Sequence, residues 1–153
     1  MSKIPAYDEC YLDSMLQKNR YLFRLMARNC SNIFDRIREY MKCEYRQLMD
    51  MGNPLYLNKT PKQILSTLGI TVASDAEISR DYDEFILDWM ADIYNYMQWK
   101  YGLRSKNIVE TIPPEELYKK YYPLHETSLV NGVEKLRVIY GMEAQVPDSS
   151  KNS

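Results

Sequence analysis

The sequence predicts an all-α protein, a compact helical bundle, and three observations carry that expectation. Between Pro5 and Gly52 the chain runs 46 residues without proline or glycine, and a second such run of 32 residues spans Ile70 to Tyr101. In both runs apolar residues recur at threes and fours, the spacing that gathers them on one helix face. Gly52, Pro54, Gly69 and Gly102 stand at the ends of these runs, where helices stop and start.

The first run carries Leu12, Met15, Leu16, Leu22, Phe23, Met26, Ile33, Ile37, Met41 and Leu48 as one stripe. Its weak point is Asn29-Cys30-Ser31-Asn32, where Ser31 or Asn32 can end one helix and cap the next. Two antiparallel helices, 8–29 and 32–51, are favoured over a single rod of about 65 Å, which would require a partner along its length. Thr60-Pro61 then reads as the cap and first residue of a short helix to Leu68, closed by Gly69. Ile70-Thr71-Val72 reads as a brief extended piece, and Ser74 or Ser79 as the start of a helix running to Tyr101. That helix has the broadest apolar face, with Phe85, Ile86, Trp89, Met90 and Ile93, so Trp89 is expected in the core. Ser105 is expected to cap a short helix to about Ile112. Pro113-Pro114 starts another, with Glu115 and Glu116 suiting its first turn. A last helix is expected over Leu124–Tyr140, ended by Gly141. Residues 1–141 read as one domain, divisible into a hairpin at 1–52 and a bundle at 60–141, with 142–153 a disordered tail.

Hydrophobic residues are 45% and charged residues 27%, the composition of a globular protein rather than a disordered one. Fourteen tyrosines and nine methionines stand out, both being residue types over-used in adaptable cores and contact surfaces. The net charge of −1 argues against bulk attraction to nucleic acid, but residues 1–60 carry +3 and residues 61–100 carry −4, an asymmetry able to orient a partner or a second copy. Cys10, Cys30 and Cys43 are odd in number and lack metal-site spacing, and the N-terminus has no apolar leader. Both facts lead to an expected cytoplasmic location without disulfides. No apolar stretch approaches the roughly 18 residues of a membrane span.

Arg20, Arg24 and Arg28 stand at i, i+4 and i+8 and line one helix face, a ladder that can grip phosphates or an acidic protein surface. Glu84, Asp88 and Asp92 repeat the same spacing in acidic form, so the two ladders can also pair, within one chain or between two. The carboxylates lack the E-x-x-H pair of helical di-metal sites, and neither a metal nor another cofactor is expected. His125-Glu126 is the one place where a histidine adjoins a carboxylate, yet neighbours on a helix point about 100° apart and adjacency alone makes no acid–base pair. The segment Ser105–Tyr122 has the length of a helix–turn–helix, but Glu115 and Glu116 would open its second helix with negative charge facing phosphate.

Over residues 93–125, the succession Ile93-Tyr94, Ser105, Val109, Glu116-Leu117, Tyr121 and Leu124-His125 resembles a family of small bacterial helical domains of unknown function. Genes of that family often neighbour ADP-ribosyltransferase-like toxins. The resemblance covers about a third of the chain, and after the histidine the chain departs from the family pattern with Glu126-Thr127-Ser128. It implies a regulatory, antitoxin-like binding role without catalysis, with Ser105, Leu117, Tyr121 and His125 in structural places. The reading reached from the sequence is a cytoplasmic interaction or regulatory protein that binds a protein partner or itself. A nucleic-acid binder using the arginine ladder is the alternative, and an enzyme centred on His125 comes last.

Overall fold

The computed structural model describes residues 5–72 and 82–142, and among these the chain is all-α with no strand. After a 3-10 turn at Glu9–Tyr11, the helices are α1 (Leu12–Asn29), α2 (Ile33–Lys42), α3 (Glu44–Asp50), α4 (Pro54–Leu57) and α5 (Pro61–Thr67). They continue as α6 (Glu84–Tyr101), α7 (Ser105–Thr111), α8 (Pro114–Lys119), α9 (Tyr121–Leu124) and α10 (Leu129–Ile139). The long α1 and α6 form the most extensive helix pair, and the remaining helices pack around them.

The first run breaks at residues 30–32 as expected, but Asn32 takes the N-cap position of α2 without a side-chain capping bond. The Asn29 side chain donates to the Leu25 carbonyl at 2.8 Å, and Cys30 turns extended. A second break falls at Cys43, inside the expected 32–51 helix. Cys43 is extended and its Sγ accepts from the Arg46 N–H at 3.3 Å, so a thiol takes the capping position usually held by an oxygen. Thr60 and Gln63 complete a reciprocal capping box at the start of α5. Gly52, Gly69, Gly102 and Gly141 all adopt positive φ past helix ends. Gly52 carries a further demand, because a Cβ there would lie 2.9 Å from the Ala6 carbonyl oxygen.

Several sequence expectations are corrected. Asp83 caps α6 by accepting from the Phe85 N–H at 2.8 Å, so Tyr82 and Asp83 are outside that helix; Ser74 and Ser79 lie outside the described residues. Ile70, Thr71 and Val72 lie outside any helix, as expected, and pair in no strand among the described residues. Ser128 accepts from the Asn131 N–H at 3.2 Å and starts the last helix at Leu129 rather than Leu124, which belongs to α9. Ser105 does not cap α7 but is its first residue. Of the expected tail, residues 143–153 lie outside the described residues, and Met142 is buried in the core.

The core unites both halves of the chain: Leu22, Phe23 and Met26 of α1 are fully buried, as are Met90, Ile93, Tyr94 and Met97 of α6. Trp89 is not among them. It is half-buried, and Phe85 is 73% exposed. The inward face of α6 runs through Ile86, Met90, Ile93 and Met97, and Phe85 and Trp89 each precede a member of that row by one position. A helix turns about 100° per residue, which carries both to the edge of the face or beyond.

Candidate interaction surface and buried polar centre

The arginine ladder of α1 lies against the carboxylate ladder of α6. Arg20 Nε donates to Asp92 at 2.6 Å, Arg24 Nε to Asp88 at 2.8 Å, and Arg28 Nη2 to Glu84 at 2.9 Å. Each step of four along α1 meets a step of four backwards along α6, the register of an antiparallel helix pair. All six side chains stay partly accessible. The ladder is thus an internal contact in this chain, and its charge is already matched by carboxylates rather than left for phosphates.

His125 is the C-cap residue that follows α9. Its Nδ1 lies 3.0 Å from the Tyr121 carbonyl oxygen and 3.2 Å from that of Tyr122, and its ring stacks on Tyr121 with centroids 4.4 Å apart. Glu126 is exposed and makes no hydrogen bond or ion pair with His125, so the two form no acid–base unit. What His125 joins instead is an aromatic ridge. Trp89 meets Tyr121 edge to face at 5.6 Å, Tyr121 meets Tyr122 at 5.3 Å, and Tyr122 meets His125 at 6.2 Å. Phe85 stands one helical turn before Trp89, on the same face of α6. Phe85 and Tyr122 are 73% and 70% exposed, an unusual placement for large rings.

A second constellation escaped the sequence reading. Arg46 of α3 is 1% exposed, yet its guanidinium is surrounded by partners from three other helices. Nε donates to Asp50 at 2.9 Å and to the Ser105 hydroxyl at 2.8 Å; Nη1 donates to the Tyr40 hydroxyl at 2.8 Å and to Asn19 Oδ1 at 3.0 Å. Asp50 in turn accepts from the Ser105 backbone N–H and hydroxyl, both at 2.7 Å, and so caps α7 from a distant point in the chain. Tyr40 Oη donates to Asn19, whose amide nitrogen donates to the Met15 carbonyl at 2.8 Å. Burial opposes the charge on Arg46, but Tyr40 and Asp50 outweigh it and hold its pKa above the usual arginine value. Burial pushes the Asp50 carboxyl up, against the lowering effect of Arg46 and Ser105.

Ser105 has a hydroxyl donating to a carboxylate, but it exposes no surface and its lone pairs face Arg46, so no substrate reaches it. The arrangement stitches α1, α2, α3 and α7 together. At its edge, the Tyr7 hydroxyl and Gln98 Oε1 are buried without hydrogen-bond partners among the described residues, and Asn95 Oδ1 is likewise unpartnered. Burial raises the Tyr7 phenol to about 12. A signal for this centre existed: Asn19, Asn95 and Gln98 occupy positions in otherwise apolar stripes, and Arg46 and Asp50 stand at i and i+4. No group of three or more potential metal ligands occurs among the described residues.

Comparison of the chain with protein-family models, curated proteins and solved structures found no match. Among the described residues no helix is long and apolar enough to cross a membrane.

Proposed function

We propose that this chain is a non-catalytic, cytoplasmic binding protein that docks a protein partner through the ridge Phe85, Trp89, Tyr121, Tyr122 and His125. The observation that carries this reading is the exposure of Phe85 and Tyr122 at 73% and 70%, beside a half-buried Trp89. Aromatic side chains of this kind are enriched at the centres of protein interfaces because they bring large contact area at low conformational cost. Tyr121 and His125 also belong to the segment whose resemblance implies antitoxin-like regulation, so a toxin-like enzyme is the specific form of partner proposed. Nucleic-acid binding through Arg20, Arg24 and Arg28 receives no support from a ladder already paired with Asp92, Asp88 and Glu84.

The test is the double variant Phe85→Ser/Tyr122→Ser. Exposed positions tolerate such changes within about 0.5 kcal/mol each, so the melting temperature should hold. A partner captured by the wild-type chain should be lost. Capture of the same partner at undiminished yield would remove the ridge from the argument.

A further inference from the structure

At the far end of α6 from the ridge, the turn at Glu9–Tyr11 and the segment before it leave an open cavity of about 800 Å³. Tyr7, Asp8, Glu9, Tyr96, Trp99 and Lys100 line it. The segment is fastened to α6 by two hydrogen bonds: the Ala6 N–H donates to the Trp99 carbonyl at 2.9 Å, and the Trp99 indole N–H donates to the Tyr7 carbonyl at 2.8 Å. One wall is therefore rigid and aromatic, with the Tyr96 and Trp99 rings 5.8 Å apart at 54°.

The other wall is acidic. Asp8 spends one carboxylate oxygen on the Cys10 N–H at 2.9 Å, while Glu9 has no ion pair or hydrogen bond among the described residues. The Tyr96 phenol's pKa is raised first by burial, then by Glu134 of α10, and last by Glu9 of this wall. Lys100, exposed and one turn past Tyr96, is the one cation on the lining among the described residues, against the two carboxylates of Asp8 and Glu9.

We infer that this cavity binds the guanidinium or ammonium head of a cationic ligand, seated against the half-buried Tyr96 ring beside the buried Trp99 and neutralised by Asp8 and Glu9. An aromatic face attracts a cation through its ring quadrupole, and adjoining carboxylates supply the matching charge. The same chemistry is offered by a small free amine and by an arginine or lysine side chain of a peptide, and both would enter from the open side. This site goes beyond the ridge reading and does not depend on it.

The experiment follows the Trp99 indole N–H resonance of the full chain by two-dimensional NMR during titration with butylguanidinium and with the blocked tripeptide acetyl-Gly-Arg-Gly-amide. Saturable shifts are expected below about 10 mM, the weak range suited to a single charged contact. The citrulline counterpart of the tripeptide, isosteric but neutral, should give none. Asp8→Asn/Glu9→Gln keeps the Asp8 cap geometry and should weaken binding by about tenfold or more, whereas Lys100→Gln should tighten it. Tripeptide binding more than about tenfold tighter than butylguanidinium would assign the site to a peptide segment, and binding within that range would assign it to a small free cation. Equal shifts from the citrulline peptide, or no saturation with either cation in a chain whose spectrum stays dispersed, would overturn the inference.

Discussion

The α1–α6 ladder and the Arg46 centre use the same chemistry, arginine against carboxylate, in opposite surroundings. Arg24 is 37% exposed and Asp88 18%, while Arg46 and Asp50 are 1% and 6% exposed. In the ladder each ion keeps part of its hydration, the arginines more than the carboxylates, so forming a pair gains modestly and breaking it costs less than in the interior. At Arg46 the ions have left water, and what compensates them is a set of hydrogen bonds that Arg46 Nε and Nη1 donate to Ser105, Asn19 and Tyr40, together with those that Asp50 accepts from Ser105. The lesson is that position relative to water, not the count of contacts, decides which arginine the fold depends on.

The comparison breaks most sharply at Arg46. Arg46→Met should destabilise by about 3–5 kcal/mol, because Asp50 is left as an uncompensated buried charge. Adding Asp50→Asn should recover a good part of the loss, since the amide oxygen can still accept from the Ser105 N–H without carrying charge. Urea unfolding measures both. An Arg46→Met variant as stable as the wild type would mean that the centre is solvated in solution and that burial does not separate the two regions.

A smaller effect should appear at alkaline pH. The Tyr7 phenol lies beside the Arg46 centre and is raised by burial to about 12 from an ordinary 10.0. A folded-state pKa above the unfolded value means that the folded chain holds its proton more tightly. The associated stability is complete below pH ~10 and is lost as pH climbs toward ~12, at up to about 1.4 kcal/mol per pH unit. Tyr45 and Tyr140, also raised to about 12, add to the slope but are more accessible and add less. Tyr7→Phe should flatten the alkaline slope and, by removing a buried hydroxyl without a partner, should not lower stability at neutral pH. An unchanged slope in Tyr7→Phe would place that hydroxyl in contact with solvent.

The same contrast explains what could be read in the sequence. Regular spacing is visible in one dimension, so the ladder of Arg20, Arg24 and Arg28, its acidic counterpart and the two long helices were all legible. The break at Cys43 was not, because a thiol capping Arg46 leaves none of the proline, glycine or hydroxyl signals that mark a helix end. Trp89 was misplaced because apolar spacing tells which residues share a broad face but not where its edge lies once α1 has packed on α6. The Arg46 centre was hidden for a different reason. Asn19, Tyr40, Arg46 and Ser105 come from four helices, and their meeting is a property of tertiary packing. An arginine in a sequence is read as solvated by default, since few are fully buried unless paired.

The ladder supplies the mildest test and the one that isolates screening. Arg20→Gln/Arg24→Gln/Arg28→Gln removes three pairs that are each partly in water, so a total loss of about 1–2 kcal/mol is expected, discounted for exposure. For a chain of this size that corresponds to a fall of roughly 3–8 °C in melting temperature. Glu84, Asp88 and Asp92 would then face one another uncompensated along α6, and the loss should shrink as salt rises and the Debye length falls to about 3 Å near 1 M. Salt should leave the cost of Arg46→Met nearly unchanged, because ions in solution screen buried charges poorly. A double-mutant cycle on Arg24→Gln and Asp88→Asn should give a coupling below about 1 kcal/mol, and the same cycle on Arg46 and Asp50 a larger one. Equal coupling in the two cycles, or a ladder loss that does not respond to salt, would show that the α1–α6 seam excludes water as the Arg46 centre does, and the distinction between the two regions would collapse.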